Sequence, residues 1–168
     1  MRLVFLCLLS LPLICLAQKK NKGYFALDAS LHFKSQSDPG FGGLVSGNLP
    51  INDAFFVGLQ LGGFSLPNTD GVYVPIQAKF TIAPSLHSNK ISPVMLIEPG
   101  YGIHNKTYSY GLNEEGGFTF FAAAGLLLPA SSKGGLCLAV GYSSFGLKTG
   151  NEKSNLEMVA VRLGVFLR

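Results

Sequence analysis

Cysteine is almost missing from the body of this chain. Beyond the first seventeen residues only Cys137 remains, so no internal disulfide can hold the rest together. Long apolar runs are missing as well: after the leader no stretch reaches the ~18 residues that a membrane-crossing helix needs, and no segment shows a helical period. Charge is thin, at 13% of the sequence with a net +4. That is too mild for a nucleic-acid surface, and the one basic cluster, Lys19, Lys20 and Lys22, reads as a solvated tail. His87 and His104 fall at a turn and a strand end without ligand spacing, so neither metal nor cofactor is expected. Tryptophan is absent altogether.

What the chain does have begins with an export leader. Arg2 supplies a positive start, Leu3 to Leu16 is almost wholly apolar, and Ala17 ends the run before Gln18, Lys19 and Lys20. This pattern predicts a secretory signal peptide over 1–17, too short and too interrupted by Pro12 for a comfortable transmembrane helix. Cys15 invites a lipoprotein reading, but Ile14 before it is not the small residue that such processing wants. Cleavage after Ala17 leaves 151 residues with a net charge of +3. They divide into a polar tail over 18–22 and one domain over 23–168.

Within that domain, alternation of period two predicts eight strands: Gly23–Lys34, Phe41–Leu49, Ala54–Ser65, Val72–Ala83, Pro93–His104, Gly117–Leu128, Gly135–Gly146 and Leu156–Leu167. Turn chemistry separates them, as in Ser35 to Gly40, Pro50 to Asp53 and Pro129 to Gly134. At ten to thirteen residues, most of these strands exceed the five or six typical of globular sheets. They match instead the ~9–11 residues of a tilted strand that crosses a bilayer. A proline in the fourth strand and another in the fifth sit awkwardly, because proline cannot donate to a ladder.

One face of these strands is apolar: Phe25, Leu27, Ala29, Leu31 and Phe33 in the first, and Val159, Val161, Leu163, Val165 and Leu167 in the last. The other face is small or polar, with Ser46, Gly58, Gln60, Gln77, Gly100, Ala123, Cys137, Ala139 and Ser143, and Cys137 there is expected to be a packing residue. Four charges, Asp28, Lys79, Glu98 and Arg162, stand mid-strand on that second face and sum to zero.

Two eight-stranded architectures compete. A lipocalin-like soluble carrier hides its apolar face around a ligand and needs a liberally charged exterior, whereas a transmembrane barrel turns its apolar face to lipid and fills its lumen with small and polar groups. The sparse, balanced charges favour the second: an all-β, eight-stranded, antiparallel up-and-down transmembrane barrel. Phe25, Phe55 and Phe80 are expected near one rim of its outer face. Phe33, Phe41, Tyr101 and Phe118 are expected near the other, with Tyr73 at that level but on the lumen parity.

These features, together with the terminal strand Met158 to Leu167 with its late Gly164 and near-terminal Phe166, resemble the small outer-membrane β-barrel proteins. They are of the OmpX and OmpA transmembrane-domain type, the broad outer membrane protein beta-barrel domain family. The resemblance implies residence in an outer membrane, contact with its lipid, and handling by a barrel-assembly machinery that reads the last strand. The usual aromatic at the very end is replaced by Leu167 and Arg168. A monomer is expected, without nucleic-acid partners.

A barrel of eight strands has room only for its own side chains, and lumen charges must pair or shift their ionisation, as a structural core or, alternatively, as a proton relay or gate. Strand adjacency predicts two structural ion pairs, Lys79 with Glu98 and Asp28 with Arg162. The connections Ser35–Pro39, Leu66–Asp70, Asn105–Gly116 and Lys148–Asn155 would be external, the third offering Tyr108, Tyr110, Glu114 and Glu115 for an outside partner. The expected role is therefore structural or surface-interacting rather than enzymatic. The alternatives are a lipid A deacylase-like enzyme, for which Ser30 and His32 face the wrong way, and the soluble carrier. Gly141 to Gly146 lacks a serine at the centre of a G-x-S-x-G elbow.

Overall fold

The computed structural model describes residues 23–35, 37–67, 71–84, 90–107, 113–131, 133–149 and 152–168. The expected leader over 1–17, the tail over 18–22, Tyr108 and Tyr110 lie outside the described residues. The strands are β1 (Tyr24–Phe33), β2 (Gly40–Pro50), β3 (Phe55–Ser65), β4 (Val74–Ile82), β5 (Ser92–Ile103), β6 (Asn105–Thr107), β7 (Asn113–Ser131), β8 (Gly134–Thr149) and β9 (Glu152–Leu167). All pairings are antiparallel, and the sheet closes on itself where β1 meets β9 and β5 meets β7. Short β6 extends β5 along β7, so the closed barrel has eight strands.

The period-two pattern sets which side faces in. Along β1 every residue alternates between buried and exposed, with Asp28, Ser30 and His32 inward and Phe25, Leu27 and Leu31 outward. The same inversion runs round the barrel, to the point that Phe25 is 70% and Leu59 72% exposed while Lys79 and Arg162 are 2% and 1% exposed. Among the described residues twenty-eight large apolar side chains stand exposed, nearly all of them on the outer face of the strands. At ~1.5–3 kcal/mol for burying each such side chain, the penalty for leaving them in water reaches tens of kcal/mol. A soluble carrier is therefore excluded, and the belt fits a hydrocarbon surround. Phe25, Phe55, Phe80, Phe33, Phe41, Tyr101 and Phe118 all point outward as expected. Tyr73 keeps its lumen parity and is fully buried.

The strands differ from expectation mainly on one side. β7, β8 and β9 have 19, 16 and 16 residues against 9 to 11 in β1 to β4. Their added length carries a small sheet, with β6, beyond the end of the barrel away from the chain termini. The connections expected over 105–116 and 148–155 are thus largely strand. Alternation could not reveal them because both faces of a projecting ribbon meet water, and polar residues such as Lys153, Ser154 and Asn155 serve on either.

Two local details follow directly from residue type. The Asn52 side-chain oxygen accepts hydrogen bonds from the Ala54 and Phe55 amides, both at 2.9 Å, and so closes the expected turn after β2. In the β4–β5 ladder the register runs from Val74↔Ile103 to Gln77↔Gly100 and resumes at Phe80↔Ile97. The gap falls at Pro99, which has no N–H to donate.

Candidate functional site

The lumen is built in three layers. At the end that holds the termini, Tyr24, Phe56, Leu96, Leu127 and Phe166 form an apolar layer, with Tyr24 edge-on to Phe56 and to Phe166. At the other end Leu44, Phe64, Tyr73, Phe145 and Met158 form a second. Between them lie the four charges.

Each charge stands at an inward position of a different strand, and all are no more than 4% exposed. Lys79 on β4 donates to Asp28 on β1 at 3.0 Å and to the Ser46 hydroxyl at 3.2 Å. Arg162 on β9 donates to Glu98 on β5 at 2.6 Å, and its guanidinium lies 3.8 Å from the centre of the Phe121 ring. The other Glu98 oxygen accepts from Gln60 at 2.8 Å, and Gln60 also donates to the Gln77 side-chain oxygen at 3.0 Å. Gln77 in turn donates to the Glu98 backbone carbonyl at 3.1 Å. Taking an ion pair out of water costs several kcal/mol per charge, which extra hydrogen bonds offset. Gln60 and Gln77 supply them to Glu98 and Ser46 to Lys79, whereas the buried Arg162 Nε has no partner among the described residues.

One of the two expected pairs is present as the longer contact, and the other is replaced. Lys79 and Glu98 do approach, at 3.9 Å, but the closer acid for Lys79 is Asp28. The Asp28–Arg162 pair does not form: across the β1–β9 ladder Asp28 faces Gly164, and Arg162 faces Ser30. A side chain in place of Gly164 would have to displace the Asp28 carboxylate. The physical reason for the replacement is the narrow barrel. Long inward side chains converge on the axis, where a strand three places round competes with the immediate neighbour.

The loop-end layer caps this network. Tyr73 donates to the Gly117 carbonyl at 3.1 Å and to the Gly146 carbonyl at 3.3 Å, and its ring occupies the space above Gly102 that any larger residue would fill. The His32 ring stands edge-on to Phe64 and Phe145, and its Nδ1 is 3.0 Å from the Ser143 hydroxyl. This histidine–serine contact has nucleophile–base geometry, but both residues are at most 1% exposed and no acid completes it among the described contacts. Below the Asp28–Lys79 pair a cavity of about 20 Å³ remains, room for one water and no ligand. Cys137 lines it as a buried free thiol.

The expected recognition residues fare differently. Glu115 is a β7 residue rather than a loop residue, 3.3 Å from Lys148 on β8. Glu114 lies in β7 as well. Among the described residues no cluster of His, Cys, Asp and Glu could hold a metal. Adjacency in sequence could name Gln60, Gln77 and Ser46 as lumen residues. It could not show that they complete the shell of Glu98 and Lys79, since that depends on height along the barrel.

The backbone arrangement resembles a solved structure, that of Neisserial surface protein A, NspA, with a TM-score of 0.66 and 18% identity. The alignment covers 86% of this chain and 96% of that one. The fold is an outer-membrane-type β-barrel. The translocator domain of the autotransporter NalP from Neisseria meningitidis aligns over 90% of each chain at 13% identity, but its TM-score of 0.26 is too low to bear on the fold. No family model matches the chain, and no curated protein matches it in sequence.

Proposed function

We propose that this protein is a monomeric barrel of an outer membrane, exported by a cleaved signal peptide, with a structural or surface-interacting role. It supports the envelope mechanically or engages an external partner through the sheet that projects beyond the bilayer. One observation carries this reading: the lumen is filled, a neutral charge layer held between two apolar layers. Such a lumen offers neither a passage for solutes nor an accessible nucleophile. What remains available for interaction is the outer surface of the projecting β6–β9 sheet. The absence of enzymatic activity is part of the proposal, supported by the burial of His32 and Ser143.

The purified, refolded barrel in planar bilayers tests it, alongside a strain that lacks the protein. The expected results are no discrete conductance steps, no release of acyl chains from radiolabelled lipid A, and a detergent-sensitive or adhesion-deficient strain. Reproducible channel currents or lipid turnover would replace this reading with a porin or an enzyme.

A further inference from the structure

Just beyond the apolar belt, on the outward face of the projecting sheet, lies an open cleft of about 260 Å³. Its middle is stripped of side chains by Gly116, Gly117 and Gly146, at the point where the β7–β8 register shifts between Gly116 and Thr119. Tyr101 and Phe118, 59% and 62% exposed, line it on the belt side, and the Tyr101 hydroxyl donates to the Gly116 carbonyl at 3.2 Å. Lys148 and Lys153 line it on the far side.

The charge arrangement here is unusual for an exposed sheet. Lys148 and Lys153 are direct cross-strand partners, and like charges placed opposite each other repel. Glu115, opposite Lys148 on the other side, is 3.3 Å from it in a half-exposed pair, which leaves Lys153 without an acid among the described residues. Glu157 lies two outward positions nearer the belt than Lys153, within reach of the Tyr142 hydroxyl, and does not line the cleft. Both lysines therefore face the cleft, and neither glutamate does.

We infer that this cleft binds the phosphate-bearing headgroup of an anionic membrane lipid. The phosphate lies between Lys148 and Lys153, and Tyr101 and Phe118 pack against the first carbons below it. The cleft opens sideways above outward-pointing aromatics at the rim of the belt, where lipid headgroups lie. A free anion would gain nothing from that apolar wall. The inference rests on the membrane reading above, and goes beyond it by naming a ligand class and a site.

The test uses the full barrel, refolded in detergent and exchanged into nanodiscs of phosphatidylcholine with a minor share of either phosphatidylglycerol or phosphorylated lipid A. Native mass spectrometry then counts the lipid that stays bound on release. Wild type is expected to retain one phosphorylated lipid in preference to phosphatidylcholine. Lys148→Gln and Lys153→Gln should each weaken that preference about fivefold, the effect of one basic residue at an anionic surface. Lys133→Gln, at the opposite end of the barrel, should leave it unchanged. Excess inorganic phosphate should not compete.

Equal retention by wild type and the double variant overturns the site. Full competition by inorganic phosphate overturns the lipid assignment. Heat-modifiable migration of every variant shows that the barrel is folded, and insertion into nanodiscs without any lipid preference separates failure of the site from failure of the membrane reading.

Discussion

Arg162 on β9 and Glu98 on β5 meet across the lumen, guanidinium nitrogen to carboxylate oxygen at 2.6 Å, with neither group more than 1% exposed. Removing one member of such a pair strands a buried charge. Arg162→Met is therefore expected to destabilise the barrel by about 3–5 kcal/mol. Combining it with Glu98→Gln should recover a large part of the loss. Urea unfolding in lipid vesicles, followed by heat-modifiable migration, measures both.

Charge reversal separates the observed pairing from the one that strand adjacency suggests. Lys79→Glu puts a third carboxylate beside Asp28 and Glu98 and should reduce the folded fraction sharply. Adding Asp28→Lys is expected to rescue it better than adding Glu98→Lys, because the latter strips Arg162 of its acid. The folded band on a semi-native gel gives the comparison, and equal rescue would show that the two acids are interchangeable.

Gly164 is open to a direct steric test. Its missing side chain leaves the space occupied by the Asp28 carboxylate. Gly164→Ala should cost about 1–3 kcal/mol through overpacking, and Asp28→Ala in the same chain should relieve the clash while leaving Lys79 short of a partner. A neutral Gly164→Ala in the same urea assay would show that the carboxylate has room elsewhere.

The cap at the loop end depends on Tyr73. Tyr73→Phe removes the hydrogen bonds to the Gly117 and Gly146 carbonyls and should cost about 0.5–1.5 kcal/mol. Tyr73→Ala also removes the ring above Gly102 and should cost about 3–5 kcal/mol. Near-equal losses in urea unfolding would mean that the ring adds nothing to the hydroxyl.

Much of this architecture is legible in the sequence, for a simple reason. A residue's side of a strand is fixed by parity alone, so Asp28, Lys79, Glu98 and Arg162 could be assigned to the lumen and Leu27 or Leu163 to the outside. Closure follows once the strands are counted. The pairing of charges is not legible in this way. It depends on strand tilt and on the reach of inward side chains over a narrow axis, so Lys79 prefers Asp28 three strands away to the adjacent Glu98. The projecting ends of β7, β8 and β9 are hidden for a different reason: water on both faces removes the alternation that marks a strand. The cleft beside Lys148 and Lys153 was hidden with them.

The inside-out arrangement of apolar and polar faces is the central claim, and the chain's lack of tryptophan gives a silent background for testing it. A single tryptophan is introduced at Leu59 or at Leu163, both outward-facing and 72% and 54% exposed, and the barrel is refolded into vesicles of lipids with brominated acyl chains. Blue-shifted emission, strongly quenched by the bromines and protected from aqueous iodide, is the expected result. Red-shifted emission quenched by iodide and insensitive to the bromines would contradict it and place that face in water.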